Sequence, residues 1–470
     1  MEKLPEEILF LILSNLSPYK EQEIASKVCK SWANVINILT KNREKYYEKN
    51  LKKGEVQWYE LKNDSKIKIQ PRQEVSMCYN DLSCAVYIFG GISACNTFQG
   101  HVETGFNDLL TLNMNTYEWD RPPIKGKPPN PLRRGELLSY KDKLFLYSGV
   151  RLAEPTPFNT TESRINNQLF TYQVTTGFWS QVDYLEEDCP PPMIVVCTCI
   201  KEFDTDLGMD AFYVLGNRSA DQPKELWELD LQSYTWEKQI IEFGSDRLPM
   251  LLSCGWCKIF EIKSKMYSSA LLVISVFDRD NLDIQACLLL KIDYKRWKCE
   301  KISIPSLPKQ QALFFKKKSS LLSLVKVKDT LVFVTSRPST ADLLNCHCTV
   351  KSPKKLNKNN SKQPSSIHSI KTPIVPISLG PEFLPEFVTV FLLDTSEVSK
   401  KDSKQSKISF NWLKFEDKEN NVIKPSLTCK CCIKHGTLIH GRGELILLGE
   451  PRTRNTKCFP VYILRNKYLY

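Results

Sequence analysis

A chain of 470 residues, 42% hydrophobic and 25% charged, has the composition of a soluble globular protein with room for one large domain and a small one. No apolar run reaches the ~20 residues of a membrane helix; "ALLVISVF" from Ala270 is among the longest, which argues against a membrane partner. The net charge of +12 gathers in tracts at Lys316, from Lys351 and from Ser399 that are poor in apolar residues, so a nucleic-acid partner is the less favoured reading.

The opening "MEKLPEE" is acidic where a secretion signal starts basic. The 17 cysteines are therefore expected as reduced thiols in the cytoplasm or nucleus, packed as small hydrophobes.

The first predicted helix follows at once. Pro5 suits the first helical position, and Glu6 and Glu7 suit a first turn that favours negative charge. Ile8, Leu9, Ile12, Leu13 and Leu16 form an apolar stripe at helical spacing, Phe10 and Leu11 add apolar surface opposite, and Ser17-Pro18 ends the helix. A second short helix holds Ile24, Ala25 and Val28, and a third holds Trp32, Val35, Ile36 and Leu39. Three such helices in about forty residues rarely bury enough surface alone. Either the remaining chain or a partner must cover the rest.

Leu4-Pro5, Ile8-Leu9, Ile12-Leu13-Ser14 and Leu16, followed by Val28-Cys29-Lys30 and Trp32, resemble the F-box. The middle, "YKEQEIAS", departs from the family, where an aspartate and a run of leucines are common. The resemblance implies an F-box over residues 1–48 that docks onto Skp1 by helix-in-groove recognition. Leu4, Pro5, Ile8, Leu9, Ile12, Leu13, Leu16, Val28, Cys29 and Trp32 are the implied Skp1-binding residues. Some of the stripe must pack inside the F-box itself, and Trp32 fits the core as readily as a contact.

The rest of the chain repeats. Trp119, Trp179, Trp236 and Trp297 recur about sixty residues apart, Trp412 follows after a longer gap, and each comes after an alternating apolar stretch. Earlier in each unit an apolar strand runs into a small residue: "VYIFGG" to Gly91, "LFLYSG" to Gly149, "FYVLGN" to Gly216, "LLVISV" to Val276, "LVFVTS" to Ser336 and "ELILLG" to Gly449. A long period of short strands marks a propeller or solenoid. A strand ending in Gly90-Gly91, then a loop, then a strand leading to Tyr-x-Trp, resembles the kelch repeat, in which one unit is one four-stranded blade. Trp58 in "EVQWYELK" supplies a sixth tryptophan ahead of the first unit. Its strand is expected to complete the last blade with "TLIHGRGELILLGE" and "FPVYILRN", which removes an exposed sheet edge.

The expected fold is a small all-α F-box of three short helices followed by an all-β six-bladed kelch-type propeller over 52–470, with disordered basic inserts near 349–380 and 396–408. Ser352-Pro353 and Thr372-Pro373 in the insert are candidate phosphorylation sites, and its basic tract a candidate nuclear address.

Candidate chemistry is sparse. Cys254 and Cys257 have C-x-x-C spacing, Cys346-His347-Cys348 is a cluster, and Cys429, Cys431 and Cys432 precede His435 and His440. Zinc needs four ligands in tetrahedral array. The alternation of Cys429 with Cys431, and of Cys197 with Cys199, favours buried strand thiols over metal. A copper-type propeller oxidase would need converging Tyr and His ligands, and the chain has five histidines. No metal, cofactor or catalytic residue is expected. The long loops of the first three units mix aromatic, charged and small residues, as adaptable interfaces do, and Arg133, Arg134 and Arg151 are the candidate substrate-binding residues, suited to bidentate carboxylate or phosphate contacts.

An F-box joined to a kelch propeller resembles the substrate receptors of SCF ubiquitin ligases. The resemblance implies a non-enzymatic subunit partnered by Skp1, through it by Cul1 and Rbx1, and by an unidentified protein substrate. The alternative is a kelch scaffold for cytoskeletal or chromatin partners.

Overall fold

The computed structural model describes residues 4–14, 16, 20–61, 67, 69–70, 72–97, 100–151, 164–165, 167–183, 195–201, 210–217, 224–243, 256–262, 267–278, 283–304, 320–336, 388–396, 411–413, 426–427, 433–441, 443–451 and 461–466. The inserts expected near 349–380 and 396–408 lie outside these residues, apart from Ser396.

Three helices come first: α1 (Glu6–Ser14), α2 (Lys20–Ser26) and α3 (Lys30–Lys52). They close around Leu9, Leu13, Ala25, Val35, Ile36 and Leu39, with Phe10, Leu16 and Trp32 packed against them. Gln22 caps this core from α2: its Nε2 donates to the carbonyls of Leu13 at 3.1 Å and Leu16 at 3.3 Å, at and just past the end of α1. Helix α3 is longer than the pattern around Trp32 suggests. Its second half leaves the bundle and buries Tyr47 and Leu51 among strands of the β region.

Among the described residues, 24 strands form six antiparallel four-strand meanders, or blades. Blade 1 is Ser76–Asn80, Ala85–Phe89, Leu109–Asn113 and Trp119–Asp120. Blade 2 is Glu136–Tyr140, Lys143–Tyr147, Leu169–Gln173 and Phe178–Gln181. Blade 3 is Val195–Lys201, Ala211–Asn217, Glu225–Asp230 and Trp236–Phe243. Blade 4 is Trp256–Glu261, Ala270–Asp278, Asp283–Lys291 and Arg296–Ile302. Blade 5 is Ser320–Val327, Thr330–Ser336, Val388–Asp394 and Asn411–Leu413. Blade 6 is Ile433–Gly441, Glu444–Pro451 and Val461–Asn466, with Val56–Leu61 from the start of the chain as its fourth strand, Trp58 opposite Leu464.

Every repeated sequence feature falls at one place in this scheme. The apolar strands that run into a small residue are the second strand of each blade, and the tryptophans lie on the fourth. Trp58, Trp119, Trp179, Trp236 and Trp297 are all buried.

The second strands are covered on both faces, so they read as nearly continuous apolar runs, whereas outer strands such as Phe178–Gln181 and Arg296–Ile302 alternate. The hydrophobic cores lie between blades, not within them. One core joins each neighbouring pair: blades 1 and 2, 2 and 3, 3 and 4, 4 and 5, 5 and 6, and 6 and 1. Hydrogen bonds follow the same circuit. Asn80 Nδ2 donates to Ser139 Oγ at 2.9 Å, Lys141 Nζ lies 3.0 Å from Asp210, Lys326 Nζ reaches the Glu261 carbonyl at 3.3 Å, and the Leu438 amide reaches Ser323 Oγ at 3.1 Å. The ring is closed.

One feature had no sequence signal. The fourth strand of blade 3 runs on to Phe243 and pairs in parallel with the fourth strand of blade 4, Ile240 opposite Arg296, which fuses two blades into an eight-stranded sheet.

Gly90 and Gly91 end the second strand of blade 1 with φ of 69° and 90°, a region L side chains rarely adopt. A Cβ on Gly90 would lie 2.5 Å from the Leu132 carbonyl oxygen, and one on Gly91 would lie 2.7 Å from that of Gln73. The Gly90→Ala variant is expected to lose about 2–3 kcal/mol in urea unfolding, from the strained backbone and the backbone clash together.

Candidate functional site

The meander topology gives the propeller two unlike faces. One carries the turns between first and second strands, at Asp81–Cys84, Lys328–Asp329 and around Gly443. The other carries the loops that follow the second strands and the links that lead into each first strand.

The helical domain sits on the turn face. Tyr47 Oη donates to the Leu464 carbonyl at 2.9 Å, and Thr330 Oγ1 donates to Glu48 at 3.0 Å. Lys52 Nζ lies 3.6 Å from Asp394, Cys84 Sγ lies 3.6 Å from Glu23, and Gly443 packs on the Arg43 side chain. These contacts come from blades 1, 5 and 6, and all but that of Glu23 are made by α3, which is thus the strut between the bundle and the ring. Burial pushes the Tyr47 phenol well above its ordinary range and Glu444 adds to this, which keeps it a hydrogen-bond donor.

His440 stacks on Tyr47 at 6.2 Å between ring centroids, and its Nε2 is buried without a hydrogen-bond partner. Burial pushes its pKa down to about 4; Asp81 acts against this and Lys328 with it. A histidine whose folded pKa lies below the unfolded value contributes full stability above that value, and the contribution fades as pH falls toward the folded pKa. Between pH 6.5 and 4 this group should cost up to about 1.4 kcal/mol per pH unit. Glu44, raised by burial, works in the opposite sense over its own range. Urea titrations across this window should show the loss, and His440→Phe should flatten it.

On α1 the predicted stripe divides. Leu9 and Leu13 turn inward, at 6% and 0% exposure, with Leu16 half-buried. Leu4, Ile8, Leu11 and Ile12 turn outward at 55%, 45%, 60% and 45%, and they follow one another at helical spacing. Ile24 and Val28, in and just after α2, are also exposed, as are Pro5 and Cys29, while Trp32 is half-buried against the core. Leu11 and Ile24 were not among the candidate contacts. Leu11 stands on the face opposite Leu9 and Leu13, and its exposure follows from which side of α1 the other two helices cover.

The three candidate arginines share the loop face, away from the helices. Leu132–Arg133 and Val150–Arg151 form a small sheet with Arg164–Ile165, in which Arg151 stands opposite both Leu132 and Arg164. Arg133 lies 3.5 Å from Glu74, and Arg134 bonds the same carboxylate. Arg151 bonds Gln168, a neutral partner.

A further arginine stands on the same face. Arg72 is buried at 2%, grips Asp108 with both terminal nitrogens at 2.5 and 3.2 Å, donates to the Gly90 carbonyl at 3.3 Å and lies 3.9 Å over the Phe106 ring. It fixes the loop face of blade 1 rather than offering a free charge.

Among the described residues no group of three His, Cys, Asp or Glu side chains is placed to hold a metal ion, and no helix is long and apolar enough to cross a membrane. Cys197, Cys199 and Cys257 are buried strand thiols. Cys254, Cys346, His347, Cys348, Cys429, Cys431, Cys432, Ser352 and Thr372 lie outside the described residues.

Comparison with known proteins agrees with this geometry. Residues 1–41 match the F-box-like family, and residues 40–256 match the family described as the KLHDC2/KLHL20/DRC7 Kelch-repeats domain. Host cell factor 2 of Homo sapiens is 28% identical over 154 residues, 30% of this chain and 19% of that protein. Host cell factor 1 of Rattus norvegicus is 27% identical over 231 residues, 46% of this chain and 10% of that protein. The match thus spans about a fifth or less of the length of these curated relatives. A solved structure of YjhT is 14% identical with a TM-score of 0.33, over 56% of this chain and 76% of that one. The chain therefore carries an F-box-like domain followed by kelch repeats, an architecture that fits an F-box/kelch protein.

Proposed function

We propose that this chain is the substrate-recognition subunit of an SCF ubiquitin ligase, with Skp1 covering the F-box and the loop face of the propeller holding the protein to be ubiquitinated. The carrying observation is the apolar row Leu4, Ile8, Leu11 and Ile12, left exposed after Leu9 and Leu13 have filled the bundle interior. An exposed row at helical spacing suits a groove on a partner helix bundle. Of the residues implied by the F-box resemblance, Pro5, Val28 and Cys29 remain available to that partner, whereas Leu9, Leu13, Leu16 and Trp32 shape the helices that present it.

The mechanism is tethering. The strut of α3 holds the two surfaces at a set geometry, so a substrate on the loop face gains effective concentration near the transferring machinery, and the chemistry belongs to other subunits reached through Cul1 and Rbx1. Arg133, Arg134 and Arg151, gathered on the loop face, support a substrate segment bearing carboxylates or phosphates. Within this class the chain resembles F-box only protein 42 in the order of its domains and in pairing "YIFGG" with "TYEWDRP". Action in the cytoplasm or nucleus belongs to the same proposal.

The test is affinity purification of the full chain from cells. Recovery of Skp1, Cul1 and Rbx1 together supports the ligase reading. Recovery of Skp1 without Cul1 and Rbx1 favours the scaffold.

A further inference from the structure

We infer that Cys197 and Cys257 form a peroxide-sensitive dithiol whose oxidation staples blade 3 to blade 4. The two sulfurs lie 3.2 Å apart, on the first strands of neighbouring blades and sixty residues apart in the chain. Closing that gap to the ~2.05 Å of a disulfide needs about 1 Å of shared movement. The pair is buried in the core between these blades, yet solvent lies one residue away: Lys258 is 30% exposed at its side chain and pairs with Glu136 at 3.3 Å, itself 21% exposed.

The surroundings make the two thiols unequal. A hydrogen bond from Cys197 holds Cys257 below the ordinary thiol range, the charges of Lys224 and Lys258 act in the same sense, and burial opposes them. Burial and the neighbouring Cys257 push Cys197 well up. Cys257, next in sequence to the partly exposed Lys258, is taken as the attacking sulfur and Cys197 as the resolving thiol. The oxidant is hydrogen peroxide. The Cys257 thiolate attacks one peroxide oxygen, the O–O bond breaks, and the departing hydroxide takes a proton to become water. The resulting sulfenic acid is attacked by the Cys197 sulfur. The S–S bond forms while the S–O bond breaks, and the oxygen leaves as a second water carrying the Cys197 proton. Two electrons from two thiols reduce one peroxide to two waters.

Cys287 and Cys299 offer an internal comparison. They also share a hydrogen bond that raises the first and lowers the second, but both belong to blade 4, so their union would join no blades. The inference does not rest on the ligase reading.

The test treats the full folded chain with hydrogen peroxide, caps remaining thiols and identifies linked peptides by mass spectrometry beside a urea titration. The expected result is an intramolecular peptide joining Cys197 to Cys257, with an unfolding midpoint that rises on oxidation and returns with dithiothreitol. In Cys197→Ser, dimedone should capture a sulfenic acid at Cys257. Absence of the linked peptide from the unsubstituted chain, whether its thiols stay reduced or pair otherwise, overturns the inference. That reading does not depend on how the variant folds.

Discussion

Replacing Ile8 and Ile12 together with aspartate is expected to abolish Skp1 capture while leaving the unfolding of the chain unchanged. Both side chains stand in solvent on α1, and neither contributes to the bundle core. A large aliphatic side chain buried in a partner's groove contributes about 1.5–3 kcal/mol. Losing two should therefore weaken binding by roughly two to four orders of magnitude, and an introduced carboxylate facing an apolar pocket adds to the loss. Leu13→Asp is the instructive contrast. Leu13 is fully buried, so that change places a charge in the bundle interior and should lower helix content and Skp1 binding together. Titration calorimetry with purified Skp1, read beside thermal melts, separates the two. Unchanged affinity in the Ile8 and Ile12 variant would remove α1 as the docking surface.

The second large effect concerns ring closure. Trp58→Ala is expected to destabilise the protein by about 3–5 kcal/mol in urea unfolding. Trp58 is 7% exposed and lies in the core shared by blades 5 and 6 and the end of α3. Its strand is the outermost of blade 6, so loosening it bares the edge of Val461–Asn466 and frees the tie between the start of the chain and the ring. Tyr59, next in sequence and 37% exposed, points to the other side of the strand, where Arg465 lies 5.5 Å over its ring. Tyr59→Ala should cost under about 1 kcal/mol. Equal losses at the two positions would contradict the closure account.

Much of the fold was legible because a propeller states itself repeatedly. A second strand buried on both faces must be apolar throughout, and an outer strand places a tryptophan where it meets its neighbours. Those demands recur blade by blade, so "VYIFGG" and Trp119 could be matched with weaker copies such as "LLVISV" and Trp297. What resisted reading depends on distance in the chain. The parallel union of Trp236–Phe243 with Arg296–Ile302 lies between segments whose own patterns complete ordinary blades. The grip of Arg72 on Asp108 spans 36 residues and looks in sequence like two surface charges. The closeness of Cys197 and Cys257 comes from the ring bringing first strands side by side, which no local pattern records.

On α1 the difficulty was of another kind. Ile8, Leu9, Ile12 and Leu13 are all apolar, and a wheel with apolar residues all round cannot say which side its neighbours will cover. The positions of α2 and α3 decide that Leu9 and Leu13 face in and Ile8 and Ile12 face out. The extension of α3 to Lys52 was hidden for a similar reason. Its stretch "KNREKYYEKNLKK" is mostly polar, and only Tyr47 and Leu51, one turn apart, mark the side that meets blades 5 and 6.

The most direct measurement compares ubiquitin attachment in cells expressing the intact chain or the Ile8→Asp, Ile12→Asp variant, restricted to proteins that both forms retain on the propeller. The account predicts at least one retained protein whose ubiquitination rises with the intact chain and stays at background with the variant. Equal ubiquitination of every retained protein with both forms would contradict it.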